Sequence, residues 1–391
     1  MTIAQRRMVM VVMFCHFIAA FAALGMPPFF ALILSKSLHN SNAYLVGWFY
    51  VVPTFFTALS SPWWGLFADR IGKKVSLLRA QLGLSASFLL AGYSNNTTLF
   101  FLALALQGML GGTFAASNAY LATMSSGPAL ARSLTLMQGS ARAALVVAPA
   151  VLGLFAASVS PIELYRYLAL LPLAAALLLW LLPEPAQTAQ HDDYRPKNTV
   201  VGQPLLPANN VYLLQFAFVF ATVATFPYFI PYAQGLGSVS VELAGLLFGL
   251  PNLLYLVTAG VLTYRFGQRA SPAGLAGIFL LMAIALFGQA QTQSLTGLIL
   301  WRMLMGLAMT GSFIVLHALI AALVRKGNAG RTFGWLESGS KWGAVAAGLT
   351  AGALVDRLGP HAPFLLGGGI MTAAAAWLAV SSFYRRRTEN I

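Results

Sequence analysis

Long apolar runs separated by short polar stretches fill most of this chain. Each run is about 20 residues or longer, the length at which an α-helix crosses the hydrocarbon core of a bilayer. The first run leads directly into further runs, so we interpret it as a helix and not as a cleavable signal. The pattern predicts twelve transmembrane helices, at residues 8–34, 45–67, 75–93, 99–124, 133–157, 164–182, 211–233, 243–263, 273–290, 296–323, 333–355 and 363–384.

A polar segment at residues 183–210, rich in Pro, Gln and Asn, interrupts the apolar pattern midway. We interpret it as a flexible cytoplasmic linker between an N-terminal six-helix bundle, residues 1–182, and a C-terminal one, residues 211–391. The two halves align in sequence: VGWFYVVP matches AGLLFGLP, and ARSLTLMQGSAR matches GRTFGWLESGSK. Such a parallel repeat predicts two pseudo-symmetric bundles in an all-α membrane protein, with a site between them near the membrane midplane.

Composition agrees with a membrane protein, because 59% of the 391 residues are hydrophobic and only 8% are charged. The net charge of +14 comes from bases that lie mostly in loops on one side of the predicted helices. The positive-inside rule places that side, and both termini, in the cytoplasm of a multi-pass inner-membrane protein. The excess is therefore a topology signal, and we expect no nucleic-acid partner. The bases on this side are Arg6, Arg7, Arg70, Lys73, Lys74, Arg79, Arg132, Arg195, Lys197, Arg265, Arg269, Arg325, Lys326, Arg331, Arg385, Arg386 and Arg387.

The loop between the second and third predicted helices reads GLFADRIGKK, residues 65–74. Its glycines permit a tight turn, and Asp69 is suited to accept hydrogen bonds from a helix N-terminus or to pair with a base. The stretch resembles the loop signature of the major facilitator superfamily, approximately G-x-L-A-D-R-x-G-R-K-x-x-L. The resemblance implies a part in conformational change for Gly65, Asp69, Arg70, Gly72, Lys73 and Lys74.

Two further patterns resemble this family. LALQGMLGG at 104–112 is similar to the helix 4 pattern R-x-x-Q-G, with Gln107 in place and Leu104 where the arginine belongs, while RMLMG keeps Arg302 in the second half. ALVVAPAVLG at 144–153 is similar to the helix 5 antiporter pattern and retains Pro149. The resemblance implies a monomeric transporter of the drug and metabolite proton-antiporter branch, driven by a proton gradient without a bound cofactor.

Polar side chains inside predicted helices are costly in a membrane and therefore mark candidate functional residues. They occur in helices 1, 4, 5, 10 and 11, whereas helices 3, 6, 9 and 12 have almost none in their middles. In the family fold the latter four face lipid, so this segregation favours a central site. The polar residues are His16, Gln107, Thr113, Ser117, Asn118, Arg142, Arg302, His317, Glu337 and Lys341.

Arg142 and Lys341 occupy equivalent positions of the repeat. Each lies ten residues beyond a loop arginine, which places it about 15 Å deep, near the midplane. Two cations at this depth favour an anionic or strongly polar substrate, with Arg302, Asn118 and Gln107 as further contacts. The alternative for Lys341 is a local salt bridge with Glu337, four residues earlier.

Glu337 is the one carboxylate that we place within a predicted helix, and we expect it to carry the coupling proton. His16 and His317 are the other candidates for proton coupling, with structural histidines as the alternative. Helix 7 contains FPYFIPY at 226–232. There Tyr228, Phe229 and Tyr232 either stack on a substrate or form an interfacial aromatic belt.

The sequence offers no sign of an enzyme. It has no phosphate-binding loop, no metal-ligand spacing and no pairing of nucleophile and base. We expect a proton-coupled transporter that exports a small polar or anionic metabolite, such as a carboxylate siderophore or a sugar. The alternatives are a multidrug efflux antiporter, an uptake symporter and a membrane sensor that binds a ligand without moving it.

Overall fold

The computed structural model describes residues 3–40, 42, 44–156, 159–182, 205–237, 239–266, 271–325 and 327–389. Within these residues the chain is helical, without a strand, and crosses the bundle twelve times as predicted. The passes are α1 (Ile3–Gly25), α2 (Tyr44–Ile71), α3 (Lys73–Gly92), α4a (Thr97–Leu110) with α4b (Thr113–Leu121), α5 (Gly127–Ala156), α6 (Leu164–Trp180), α7a (Ala208–Val223) with α7b (Phe229–Gln234), α8 (Val241–Phe266), α9 (Pro272–Gln291), α10 (Leu295–Leu323), α11 (Ala329–Leu358) and α12 (Ala362–Glu389).

Eight helical segments of the described chain are long and apolar enough to cross a membrane by length and composition. Helices α6 and α7a are apolar but shorter. The two remaining passes, α5 and α11, carry the intramembrane bases Arg142 and Lys341.

Two passes predicted as continuous helices are broken in the structure. Pass 4 ends its first segment at Leu110 and restarts at Thr113, because Gly112 adopts the left-handed region with φ +80°. Pass 7 is interrupted between Val223 and Phe229, in a stretch that contains Pro227, which has no backbone N–H to continue the helix.

Equivalent packing in the two halves supports the sequence repeat. Gly108 of α4a lies against the backbone of Pro53 in α2, and Gly306 of α10 lies against Pro251 in α8. A side chain at either glycine would collide with the neighbouring helix, so both positions require close helix approach. The predicted linker falls mostly on residues 183–204, outside the described residues, and the division at 183–210 stays a prediction.

The halves meet along two groups of helices. Helices α2 and α4b pack along α11, and α5 packs along α8 and α10. These are the helices that carry Asp69, Arg142 and Lys341, so the predicted site residues lie at or beside the junction of the halves.

Candidate functional site

One end of the bundle, here called the basic end, carries Arg70, Arg132, Arg265 and Arg331 at the helix termini. At this end Asp69 caps the start of α11: its carboxylate accepts hydrogen bonds from the backbone N–H of Gly330 at 2.9 Å and of Arg331 at 2.7 Å. A carboxylate at a helix N-terminus is stabilised by the exposed N–H groups and the helix dipole. Asp69 therefore links the two halves.

Backbone contact between α2 and α11 continues along the basic half of both helices. A Cβ on Gly334 would lie 2.5 Å from the Ser61 carbonyl oxygen, so only glycine permits this approach. Further along, the Ser338 hydroxyl donates to the Ala58 carbonyl at 2.7 Å. These contacts between α2 and α11, from Asp69 to Ser338, are here called the first seam between the halves.

Three other residues of the loop signature, Gly72, Lys73 and Lys74, shape the turn into α3 or bond to neighbouring groups. Gly72, with φ +120°, is the residue before α3 and allows the reversal of the chain. Lys73 forms an ion pair with Asp69, and Lys74 donates to the Trp180 carbonyl at 3.0 Å and to the Leu182 carbonyl. Arg70 is exposed. The part of these residues in a conformational change stays a prediction.

A second seam joins α5 to α8 and α10. The Tyr255 hydroxyl donates to the Thr135 carbonyl at 2.8 Å, and the Thr135 hydroxyl lies 3.0 Å from His317 Nδ1. Deeper in the bundle, Arg142 donates to the Asn252 side-chain oxygen at 3.0 Å. His317 is thus a contact between halves in this conformation.

Away from the basic end the same helix faces have open space before them. A Cβ added to Gly47, Gly245, Gly249 or Gly348 would meet no heavy atom within 4 Å. Gly47 lies about five turns from Gly65 on the same face of α2, because an α-helix repeats every 3.6 residues. The faces that touch at the basic end therefore border open space at the opposite end, and this space is here called the cleft.

The two predicted midplane bases have equivalent local partners. Arg142 Nε and Nη2 are each 3.0 Å from the Gln138 amide oxygen in the orientation that satisfies both groups. Lys341 Nζ is 3.4 Å from Glu337, with the Lys341 side chain 36% exposed and the Glu337 side chain 8% exposed. The local salt bridge considered from the sequence is therefore present. The pairs differ in charge, since the repeat places glutamine in one half and glutamate in the other.

Comparison with known proteins agrees with this architecture. The family model described as Major Facilitator Superfamily matches residues 12–291 and 211–390, which together span nearly the whole chain. The chain belongs to the Major Facilitator Superfamily. Membership indicates a multi-pass membrane transporter and not an enzyme, in the twelve-helix, two-bundle fold.

Among curated superfamily members, the multidrug resistance protein MdtG of Escherichia coli strain 536 is 28% identical over 404 residues, covering 99% of this chain and 97% of that protein. MdtG of strain HS is 27% identical over the same length. Among solved structures, the human organic anion transporter MFSD10 is similar at a TM-score of 0.79 with 20% identity, covering 96% of this chain and 99% of that one. The Escherichia coli fucose:proton symporter FucP has a TM-score of 0.70 with 16% identity, covering 96% and 99%.

Arg302, a predicted substrate contact in this superfamily member, is engaged within the C-terminal half. It is 3% exposed and donates to the carbonyls of Leu247 at 3.0 Å and Phe248 at 2.6 Å. The Leu247 carbonyl needs such a donor because Pro251, four residues later, has no N–H to offer it. The guanidinium also lies 4.2 Å from the Phe229 ring centroid. This geometry favours a packing role for Arg302.

The aromatic residues of pass 7 also contact their own half. Phe229 is fully buried beneath Arg302, and the Tyr232 hydroxyl donates to the Gln289 carbonyl. The Tyr228 hydroxyl approaches Gly352 of α11. Substrate contact by these three side chains stays a prediction.

Of the predicted polar residues of passes 1 and 4, His16, Ser117 and Asn118 are buried, and Gln107 and Thr113 are half-buried. His16 packs against Phe114, with ring centroids 5.3 Å apart. Among the described residues, both His16 ring nitrogens and the side-chain oxygens of Gln107 and Asn118 have no hydrogen-bond partner. These buried polar atoms thus differ from the Arg302 guanidinium, which donates hydrogen bonds to two backbone carbonyls.

Sequence reasoning missed several residues of the second seam. Asn252 is a polar residue in an apolar run directly after Pro251, and this signal was available. Gln138 matches Glu337 in the aligned repeat, so its pairing with Arg142 was also predictable. Thr135 and Tyr255 had no such signal, because a hydroxyl in a membrane helix commonly bonds its own backbone.

Proposed function

We propose that this superfamily member is a proton-coupled exporter of small polar or anionic organic molecules in the cytoplasmic membrane, working by alternating access. The observation that carries the proposal is the Glu337–Lys341 pair, whose lysine is partly exposed and whose glutamate directly precedes Ser338 of the first seam. An exporter of this kind needs a cleft that faces one side at a time and a group that binds or releases a proton as the cleft changes sides.

The closed basic end supports the alternating-access part of the proposal. By the positive-inside rule this end lies in the cytoplasm, so the conformation described here faces away from the cytoplasm. The contacts that close it are hydrogen bonds and glycine packing, without a buried charge pair between the halves in the described residues. Contacts of this strength, about 0.5–1.5 kcal/mol per neutral hydrogen bond and about 1.5–3 kcal/mol for those to the Asp69 carboxylate, are compatible with two states of similar free energy.

The Glu337–Lys341 pair supports proton coupling. A carboxylate beside an ammonium group either stays ionised and pairs with the base or binds a proton and gives up that pairing. The partial exposure of Lys341 gives water access to the pair. When Glu337 is protonated, Lys341 loses its partner and is available to an anionic group of the substrate. Arg142 is engaged by Gln138 and Asn252, so Lys341 is the principal cationic contact in this conformation.

Multidrug efflux is a second candidate, because the MdtG relatives carry that description over nearly the whole length of the chain. In that case a broad set of apolar and cationic compounds would be exported. The two candidates share the proton-coupled mechanism and differ in the charge of the substrate.

The proposal is tested by reconstituting the purified protein into liposomes with an imposed pH gradient. Efflux of radiolabelled organic anions, sugars and cationic dyes is followed in parallel, with empty liposomes and dissipated gradients as controls. Gradient-dependent movement of anions or sugars supports the first candidate, and movement of the dyes alone supports the second. Binding without any flux would identify a sensor and contradict both.

A further inference from the structure

A pocket of about 470 Å³ lies at the basic end of the C-terminal half, between the starts of α7a and α11 and the end of α10. Its lining includes Ala208 and Asn209 of α7a, Leu323 of α10, and Arg331 and Trp335 of α11. Sites that bind small organic groups have volumes of about 300–1,000 Å³. The pocket therefore has room for a ligand, and its lining comes from one half of the molecule.

Two arginines, Arg325 and Arg331, line the pocket, and its described lining includes no carboxylate. Both side chains are exposed, and within the described part of the chain neither guanidinium forms a hydrogen bond or an ion pair. The carboxylate of Asp69 is engaged by the backbone at the start of α11 and by Lys73. The pocket is therefore positively charged, and its guanidinium donors are available to an anion.

Neutral polar groups complete the pocket wall. The Asn328 side-chain oxygen accepts a hydrogen bond from the Arg325 backbone N–H at 2.7 Å, which leaves the Asn328 amide as a donor. Tyr212 and Thr332 contribute hydroxyl groups, which can both donate and accept. Guanidinium groups match phosphate oxygens with two parallel N–H bonds. The wall is therefore suited to a phosphate group that carries a polar alcohol.

One face of α11 extends from this pocket along an exposed apolar stripe. Arg331, Trp335, Trp342 and Leu349 are four and seven residues apart, so they share a face of the helix. The last three are 47%, 37% and 55% exposed, whereas Gly334, on another face, packs against α2. Exposed apolar stripes on a membrane helix face lipid, and tryptophan is enriched where lipid meets water. Trp335 belongs to both the stripe and the pocket, so the pocket opens at the level of lipid headgroups.

We propose that this pocket binds the phosphodiester headgroup of an anionic phospholipid in the leaflet at the basic end, the cytoplasmic leaflet by the positive-inside rule. Arg325 and Arg331 bind the phosphate, the amides and hydroxyls of the wall bind the headgroup alcohol, and Trp335 packs against the start of an acyl chain. The lipid is distinct from the transported substrate. The inference therefore goes beyond the proposed function and does not depend on it.

The sequence repeat provides a matched control. Arg132 of α5 is equivalent to Arg331, but it donates to the Pro128 carbonyl of its own helix at 3.4 Å and lines a cavity of only about 60 Å³. Such a cavity holds about two water molecules, at about 30 Å³ each, and no headgroup. Arg265, at the end of α8, is exposed and lines neither cavity. Neutralising Arg132 and Arg265 removes as much charge from the basic end as neutralising the two pocket arginines, and leaves the pocket intact.

The test measures lipid binding to the purified full-length protein by native mass spectrometry, with dioleoyl phosphatidylglycerol and zwitterionic dioleoyl phosphatidylcholine as probes. We expect the wild type to bind phosphatidylglycerol about tenfold more tightly than phosphatidylcholine. The pocket variant, Arg325→Gln with Arg331→Gln, should lose this preference. The control variant, Arg132→Gln with Arg265→Gln, should retain it. Equal affinity of the wild type for both lipids, an unchanged preference in the pocket variant, or the same loss in both variants would overturn the site.

A second pair of variants tests the pocket without removing an arginine. Asn209→Asp places a carboxylate in the pocket, and Asn210→Asp places one at the next residue, outside the lining. Both lie in the first turn of α7a, where acidic residues stabilise a helix, so both should fold. We expect Asn209→Asp alone to weaken phosphatidylglycerol binding, by about fivefold or more. Equal affinity of these two variants would contradict the site.

Inorganic phosphate distinguishes a lipid from a soluble anion. A large molar excess of sodium phosphate should leave phosphatidylglycerol bound, because phosphate has no acyl chain to contact Trp335. Displacement of the lipid by phosphate would make the pocket a site for a soluble anion and overturn the lipid proposal. None of these measurements involves flux, so their failure would leave the proposed function standing.

Discussion

At the scale of single residues, Glu337 is distinguished by its position and its partner. It is buried beside Lys341, and its repeat equivalent in the other half is the neutral Gln138. We predict that Glu337→Gln keeps substrate binding but abolishes the dependence of flux on the pH gradient, because the amide cannot exchange a proton. Flux with and without a gradient in liposomes measures this.

The control for Glu337 is Glu163→Gln, which removes a carboxylate that pairs with Arg166 at 3.8 Å on the exposed surface. Exposed pairs contribute about 0–1 kcal/mol, so this variant should retain gradient-driven flux. Wild-type gradient dependence in Glu337→Gln would assign the coupling proton to another group.

Arg302 is expected to act on stability. Arg302→Lys keeps the charge but cannot reach the Leu247 and Phe248 carbonyls with a planar fork. We expect the variant to lower the free energy of unfolding by about 1–3 kcal/mol, since buried acceptors lose their donors. Thermal unfolding in detergent, followed by tryptophan fluorescence, measures the loss, and the exposed Arg325→Lys is the matched control. A stable Arg302→Lys that fails to bind substrate would instead place Arg302 in the transport site.

At the scale of helices, glycine sets how closely α2 and α11 approach. Gly334→Ala introduces a Cβ 2.5 Å from the Ser61 carbonyl oxygen, whereas Gly348→Ala on the same helix meets nothing within 4 Å. We predict that Gly334→Ala loosens the closed basic end and slows transport, while Gly348→Ala leaves the rate unchanged. Accessibility of a cysteine at Ala58 to a water-soluble thiol reagent reports the opening. Equal accessibility in both variants would show that the seam tolerates the added methyl group.

The break in pass 4 is a second property at this scale. Alanine at Gly112 would have to adopt φ +80°, which costs about 1–2 kcal/mol for a residue with a Cβ. The left-handed glycine therefore fixes where α4a ends and which N–H groups α4b exposes. A continuous helix would bond these groups internally and leave no N-terminus inside the bundle.

At the scale of the whole molecule, the two seams define a conformation closed at the basic end and open at the other. Ala58 and Ser338 meet across the first seam, with a hydrogen bond of 2.7 Å. We predict that cysteines at both positions, Ala58→Cys with Ser338→Cys in a Cys15→Ala background, form a disulfide that arrests transport. Reduction should restore the wild-type rate, and each single cysteine variant should be unaffected by oxidation. Full transport by the cross-linked protein would contradict alternating access through this seam.

The sequence by itself determined the features that depend on local composition and spacing. The length of each apolar run gave twelve passes, since crossing a bilayer requires about 20 apolar residues. The spacing of four residues gave the Glu337–Lys341 pair, because such residues are neighbours on a helix. The repeat gave the equivalence of the two halves, and the loop signature pointed to Asp69 as a helix cap.

Only the tertiary structure decided which polar groups of different helices form hydrogen bonds with each other. The sequence predicted Arg302 as a cavity residue. In the structure Arg302 donates a hydrogen bond to the Leu247 carbonyl of another helix, which Pro251 leaves without a backbone donor. Thr135 meets His317, and Arg142 meets Asn252, over separations that no local pattern encodes. The broken pass 4 and the closed basic end likewise follow from packing. The physical reason is that apolar periodicity specifies that a helix crosses the membrane, while hydrogen bonds between helices depend on how their faces are rotated against each other.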